Sequence, residues 1–243
     1  MPENTLNRFS SLSRSHAKER LDIGEYSYSD YAQSLRELEW INTVTGGYRP
    51  TLQALSYFLK KAKKENEPLH VLDIGYGFGD TLRAIRAWAR KSDFKIQLEG
   101  IDLNPWAGEL AEAQTPSSLD IQYHVGNIFE FSGSKYDVII NSLFMHHLND
   151  LEIQRVMKWM TAHSRLGWFI NDLHRHPISY YGAKLGTRIF NLGEIVKYDA
   201  PLSVARSFTM DEWQIYLSWC ELSLAKSQIR WHWPFRIGVR YEL

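Results

Sequence analysis

The chain has 243 residues, 44% of them hydrophobic and 23% charged, which suits one domain with a sizeable core and argues against wholesale disorder. Its 28 Lys plus Arg balance 28 Asp plus Glu, so no global basic field exists to gather nucleic acid. The single cysteine, Cys220, excludes an internal disulfide and a cysteine zinc cluster; with no apolar leader and no run long enough to span a bilayer, the chain reads as cytoplasmic with no membrane partner.

The first 25 residues or so are polar and Ser-rich, and read as frayed or ordered only by a partner or ligand. Tyr31, Leu35 and Leu38 recur at helical spacing, "TGGYRP" breaks that helix, and Leu52, Leu55 and Leu59 mark a second. A regular alternation follows. "HVLDI" predicts a strand, Leu82, Ile85 and Ala89 the apolar face of a helix, and "QLEGID" a second strand. Asn104 and Pro105 then open a helix with a capping side chain and proline at the first position. "IQYHV" and "YDVIIN" are the third and fourth strands, Ile153, Val156, Met157 and Met160 a helix face, and "GWFIND" the fifth strand. Residues 173–208 interrupt the rhythm with mixed aromatic, basic and glycine residues. "TMDE" is a capping box opening a helix, and "LSLAKSQI" and "FRIGVRYE" flank the turn "WHWP" as two last strands, free to pair antiparallel. This order argues for an α/β fold with a parallel, doubly wound sheet and helices on both faces. Its expected division is an N-terminal tail with cap helices over residues 1–66 and a main domain over 67–243, with a lid insertion at about 173–208.

The stretch "HVLDIGYGFGD" places Gly75, Gly77 and Gly79 after a strand, where backbone must approach a ligand closely. A triphosphate loop needs a Lys-Ser/Thr pair that is missing here. A dinucleotide fingerprint needs glycine at position 80, which is Asp80, a carboxylate that would oppose a pyrophosphate. A cofactor without phosphate and with a positive centre suits these acids, and S-adenosylmethionine is one. Asp102, ending the second strand, can accept from both ribose hydroxyls. Asn127 follows the third strand within reach of an adenine edge, and Asn141 closes the fourth strand beside the first.

Together, "VLDIGYGFGD", "GIDLNP", "VGNIF" and "YDVIINSLFMHHLND" resemble, in order and spacing, the motifs of class I S-adenosylmethionine-dependent methyltransferases, strongly over residues 68–172. The paired histidines resemble those of the ubiquinone/menaquinone-type and other small-molecule members. The resemblance implies a Rossmann-like, seven-stranded sheet whose last strand is antiparallel. It implies a methionine site at Asp73 and the three glycines, a ribose site at Asp102 with Leu103, and an adenine site at Asn127 and Ile128. Asn141 completes the cofactor-binding set. Asn127 stands where the family usually has Asp.

Methyl transfer to a hydroxyl needs alignment and a group to take the proton, and histidine suits that near neutral pH. His146 and His147 follow the fourth strand and read as a brace for the loop. His174 and His176, after the fifth strand in "NDLHRHP", are the expected catalytic pair, His174 first. Metal assistance would draw on Asn141, Asn171 and Asp172, a set with one charge that a hard cation disfavours, so no metal is expected. Tyr180, Tyr181, Phe190 and the "GGY" at 46–48 are expected to line an apolar acceptor pocket under the lid, and Arg175, Arg188 and Arg206 to contact an acidic acceptor or solvent. Residues 141–144 lack the Asn/Asp-Pro-Pro-aromatic run of base methyltransferases. The expected acceptor is therefore a small, apolar or aromatic hydroxylated molecule, methylated on oxygen. The alternatives are a binding or scaffold role without turnover, and methylation of a protein or of nitrogen or carbon.

Overall fold

The computed structural model describes residues 9–62, 68–92, 94–131 and 135–243. Its strands β1 (Leu69–Ile74), β2 (Ile96–Asp102), β3 (Ile121–Val125), β4 (Tyr136–Ser142), β5 (Ser164–Leu173), β6 (Ser227–His232) and β7 (Arg236–Glu242) form one sheet, in the order β3-β2-β1-β4-β5-β7-β6. β1 pairs in parallel with β2 and β4, β2 with β3, and β4 with β5. β7 is antiparallel to both β5 and β6, so β6 runs with the other five strands. The strand order turns back between β1 and β4, which opens a crevice at their carboxyl ends.

Side chains alternate between two buried layers, as strand geometry requires. Val71, Leu98, Val138 and Ile140 pack with Leu55 and Phe58 of α3 (Arg49–Lys61), Leu82 and Ile85 of α4 (Asp80–Lys91) and Leu110 of α5 (Pro105–Gln114). Leu72, Ile101, Ile139 and Trp168 pack on the other face with Met157 of α6 (Asp150–His163) and Trp213 of α9 (Met210–Trp219). With both faces covered, strands rich in branched apolar residues are the expected composition. Phe58 has no exposed surface, and truncating it to alanine should cost about 3–5 kcal/mol.

Local signals set the boundaries. Pro50 sits in the first turn of α3, Asn104 caps α5 through Trp106 N, and Thr209 with Glu212 forms the capping box of α9. The stretch "LSLAKS" is the exception: Leu224–Lys226 is a 3₁₀ turn, and β6 starts at Ser227 and takes in Trp231 and His232.

Two other expectations need correction. The amino-terminal stretch, from Phe9 onward, is strapped to the domain. Arg14 donates to the carbonyls of Arg206, His146 and Leu148 and to Tyr216 Oη, Ser15 N donates to Ala205 O, and Glu19 is buried just ahead of α1 (Arg20–Ile23). Residues 173–208 form α7 (Pro177–Ile189) and α8 (Glu194–Arg206), of which α8 packs against α1 and α2 (Tyr28–Val44). They buttress the cap; α1 and α2 are the elements that face the crevice.

Candidate functional site

A cavity of about 560 Å³ occupies the crevice. Its floor is the loop from Asp73 to Phe78 with Asp80, one side is Ile101–Asn104 and Gly126–Phe129, another is Ser142–Phe144 with His147 and Leu148, and its roof comes from residues between Leu21 and Asn42.

Gly77 has φ 52° and open space where a Cβ would stand. Gly79 has φ 71°, and a Cβ there would lie 2.4 Å from Tyr123 Oη, so glycine is needed for conformation and for room. Asp102 holds this loop: its Oδ2 accepts from Gly77 N at 2.9 Å and its Oδ1 from Asn104 N at 2.9 Å. Burial raises the Asp102 pKa, partly offset by the bonds from Asn104 and Gly77. Asp73 is 1% exposed, and its Oδ1 has no hydrogen-bond partner. Burial, then the charges of Asp80 and Asp102, push its pKa well above the carboxylate range. Such a buried, unpaired oxygen in a cavity wall fits a cationic ligand group. Asp80 is differently placed, accepting from Tyr48 Oη at 2.8 Å and Asn42 Nδ2 at 3.0 Å.

The cavity gathers Asp73, Gly75, Gly77, Asp102, Leu103, Asn127 and Ile128 in its lining; Gly79 supports the loop from beneath, against Tyr123. Asn127 spends its Oδ1 on capping, accepting from Phe129 N at 3.0 Å, so the expected side-chain contact with an adenine competes with a cap. Asn141 lies outside the lining. It is fully buried, and its Nδ2 reaches Met160 Sδ on the far face of the sheet.

The expected histidines also fall elsewhere. Neither His174 nor His176 lines the cavity; the chain leaving β5 runs between Phe208, which it bridges at His174, and Phe235. His174 N donates to Phe235 O, His176 caps α7 through Ile178 N, and both rings pack by Phe235. Burial lowers the His174 pKa, helped by the charges of His176 and Arg175. The lid aromatics are equally remote: Tyr180 packs on Phe9, Phe190 meets Trp40, and Tyr181 is exposed. Tyr48 bonds Asp80 as described. Arg175 and Arg206 are buried, Arg175 paired with Glu212.

The histidine in the cavity wall is His147. Its Nδ1 lies 2.7 Å from Asp22 Oδ1. Burial alone would raise the Asp22 pKa, but the hydrogen bond and charge of His147 and the charge of Arg206 hold it well below the carboxylate range. An ionised Asp22 only accepts, so Nδ1–H donates, and Nε2 is the ring nitrogen that Asp22 does not use. His146, by contrast, is a buried brace, with Nδ1 2.7 Å from Asp172 Oδ1 and Nε2 3.7 Å from Glu19 Oε1. Asp172 is held down by His146 despite complete burial, and burial lifts Glu19 to about 7. Glu19, His146 and His147 bring ligand atoms within 4.8 Å of one another, but Arg206 Nε already gives Glu19 a cation 3.8 Å away. Asn171 donates to Gly47 O and Thr51 Oγ1. The sequence signal for His147 was the pair after the fourth strand; the division between its members depends on how the turn rotates.

The remaining wall is aromatic. Tyr26, Tyr31, Tyr76, Phe78, Phe129 and Phe144 line it, with Tyr26 and Tyr31 stacked at 5.3 Å. Burial, and then the charge of Asp102, raise the pKa of Tyr31 and Tyr76, so both phenols stay protonated.

Comparison with solved structures finds the same fold at low identity. The human N-acetylserotonin methyltransferase bound to SAM superposes with TM-score 0.63 at 13% identity over 89% of this chain, which spans 56% of that enzyme. The plantazolicin methyltransferase BpumL, bound to a triazolic substrate analogue and SAH, gives 0.62 at 16% identity, covering 88% of this chain and 96% of its own. Magnesium protoporphyrin IX methyltransferase from Synechocystis with SAH gives 0.53 at 14% identity, over 81% of this chain and 83% of its own. No curated protein sequence matches significantly. A family model described as "Methyltransferase domain" matches residues 46–175, just over half of the chain and the whole crevice-forming core from β1 to β5. The chain belongs to the methyltransferase-domain family.

Proposed function

We propose that the protein transfers the methyl group of S-adenosylmethionine to the hydroxyl of a small, largely apolar or aromatic molecule. The observation that carries this reading is a single cavity that gathers buried acids, an open glycine, aromatic rings and a histidine–aspartate pair in one lining. Asp73 would take the cofactor's α-ammonium on its unpartnered Oδ1, Asp102 the ribose, and Ile128 the adenine face. The solved relatives that carry SAM or SAH in the same fold support this choice of cofactor.

The cofactor supplies an electrophilic methyl on a sulfonium, whose sulfur leaves as a neutral thioether without acid assistance. The chain's task is alignment, exclusion of water and removal of one proton. Tyr26, Tyr31, Phe129 and Phe144 give an acceptor ring a dry, shaped surface. His147, fixed by Asp22, takes the hydroxyl proton on Nε2, and the resulting imidazolium is stabilised by the Asp22 carboxylate. This assigns the proton to His147 in place of His174 and His176, which lie outside the cavity lining beside Phe235.

The test is methyl transfer from labelled S-adenosylmethionine to phenols, quinols and hydroxylated aromatic acids, beside amines, peptides and oligonucleotides. Label in small hydroxylated acceptors, with His147→Gln lowering kcat about 10²–10⁴-fold and His174→Ala near wild type, supports the reading. Label only in protein or nucleic acid overturns it. Cofactor binding with no turnover on any class would favour a scaffold role.

A further inference from the structure

Helix α7 turns its most hydrophobic side away from the core. Ile178, Tyr181, Leu185 and Ile189 are 64%, 60%, 60% and 67% exposed, although the same helix buries Tyr180 and Thr187. At about 100° per residue the four fall within an arc of about 80°, on the side away from Tyr180 and Thr187, and extend about 16 Å along the axis. Solvent-facing helix positions normally carry polar groups, so a stripe of this kind marks a contact surface.

The charges indicate what it contacts. The only charged residues of α7 are Lys184 and Arg188, both exposed, and both on one edge of the apolar arc; the helix has no acid. Antiparallel pairing with a second copy would bring the four cations to one edge. At its amino end, His176 caps α7 and packs 5.0 Å from Phe235, which places the turn carrying the exposed Trp233 at that end. Tryptophan and tyrosine suit the boundary between water and lipid.

The geometry points to α7 as an interfacial helix that lies on an anionic lipid surface, its stripe among the acyl chains and Lys184 and Arg188 reaching back to the headgroups. Among the described residues no helix is long and apolar enough to cross a membrane, and a surface-lying helix needs none.

Co-sedimentation decides it, with the full chain and vesicles of phosphatidylcholine alone or with about one third phosphatidylglycerol. Wild type should bind the anionic vesicles, and weakly or not at all the neutral ones, with salt reducing the binding. Leu185→Glu/Ile189→Glu should lose at least tenfold in partitioning, and Lys184→Ala or Arg188→Ala about 5-fold each. Both sites are exposed, so thermal melting and cofactor titration should match wild type and separate lost docking from lost fold. No wild-type binding to anionic vesicles at low salt overturns the proposal. So does a concentration-dependent dimer in ultracentrifugation that Leu185→Glu/Ile189→Glu dissolves, since a second copy would then own the stripe.

Discussion

Replacing Asp73 with asparagine should separate stability from cofactor binding. Oδ1 of Asp73 is buried without a partner, and its neighbours Asp80 and Asp102 are also acids. Burial raises the pKa of its carboxyl, so the sign is the reverse of the usual carboxylate. The wild type keeps this contribution below the unfolded pKa and loses it as pH rises through the folded one. Asparagine cannot ionise, and above that pH it should stabilise the unliganded protein by about 1–3 kcal/mol, the penalty of an unsatisfied buried group. At about 2–4 °C per kcal/mol for a chain of this size, Tm should rise by about 2–12 °C. Binding should move the other way. Losing the charged acceptor for the α-ammonium costs about 1.5–3 kcal/mol, roughly 10- to 150-fold in Kd. Wild-type affinity should also fall as pH drops and Asp73 takes up its proton, while the asparagine variant stays flat. Differential scanning fluorimetry and calorimetric titration with S-adenosylhomocysteine read both effects. A variant that is more stable and binds as tightly as wild type would refute the assignment of Asp73 to the methionine end.

Glu19, lifted to about 7 mainly by burial, contributes stability below its unfolded value of 4.5 that is lost as pH rises through about 7. Glu19→Gln should therefore gain on wild type in urea denaturation between pH 5 and pH 8, and parallel profiles would contradict this. Gly77→Ala, with open space but φ 52°, should cost about 1 kcal/mol of stability and more in cofactor affinity. Gly79→Ala, driven into Tyr123 Oη with φ 71°, should cost about 1–3 kcal/mol in the fold itself, read by chemical denaturation. Equal stability losses for the two would break the distinction.

The strand–helix order, the glycine loop and the place of Asp102 were legible because each leaves a local mark: a period, a turn chemistry, an acid at a strand end. The roles that depend on longer-range geometry were not. Leu143 takes φ 54°, uncommon for leucine, and redirects the chain after β4 so that Phe144 lies under Gly75 and His147 enters the cavity wall. Nothing in "SLFMHHLND" announces that rotation. The strap from Phe9 to Glu19 carries no periodic apolar signal, because Arg14 holds it through carbonyl oxygens and a ring contact 4.2 Å over Phe208. Asn127 could cap or bind, and the following turn claimed its oxygen. His174 follows a strand end correctly placed in the sequence, but β7 inserts beside β5 and draws it away.

The most direct test of the central claim is calorimetric titration of S-adenosylmethionine, NAD and ATP into the wild type and into Asp102→Ala, with circular dichroism to confirm that both are folded. The account predicts saturable one-to-one binding of S-adenosylmethionine alone, weakened in Asp102→Ala by about 1–3 kcal/mol as the ribose and the Gly77 amide lose their shared acceptor. Saturable NAD binding with no response to S-adenosylmethionine would contradict it.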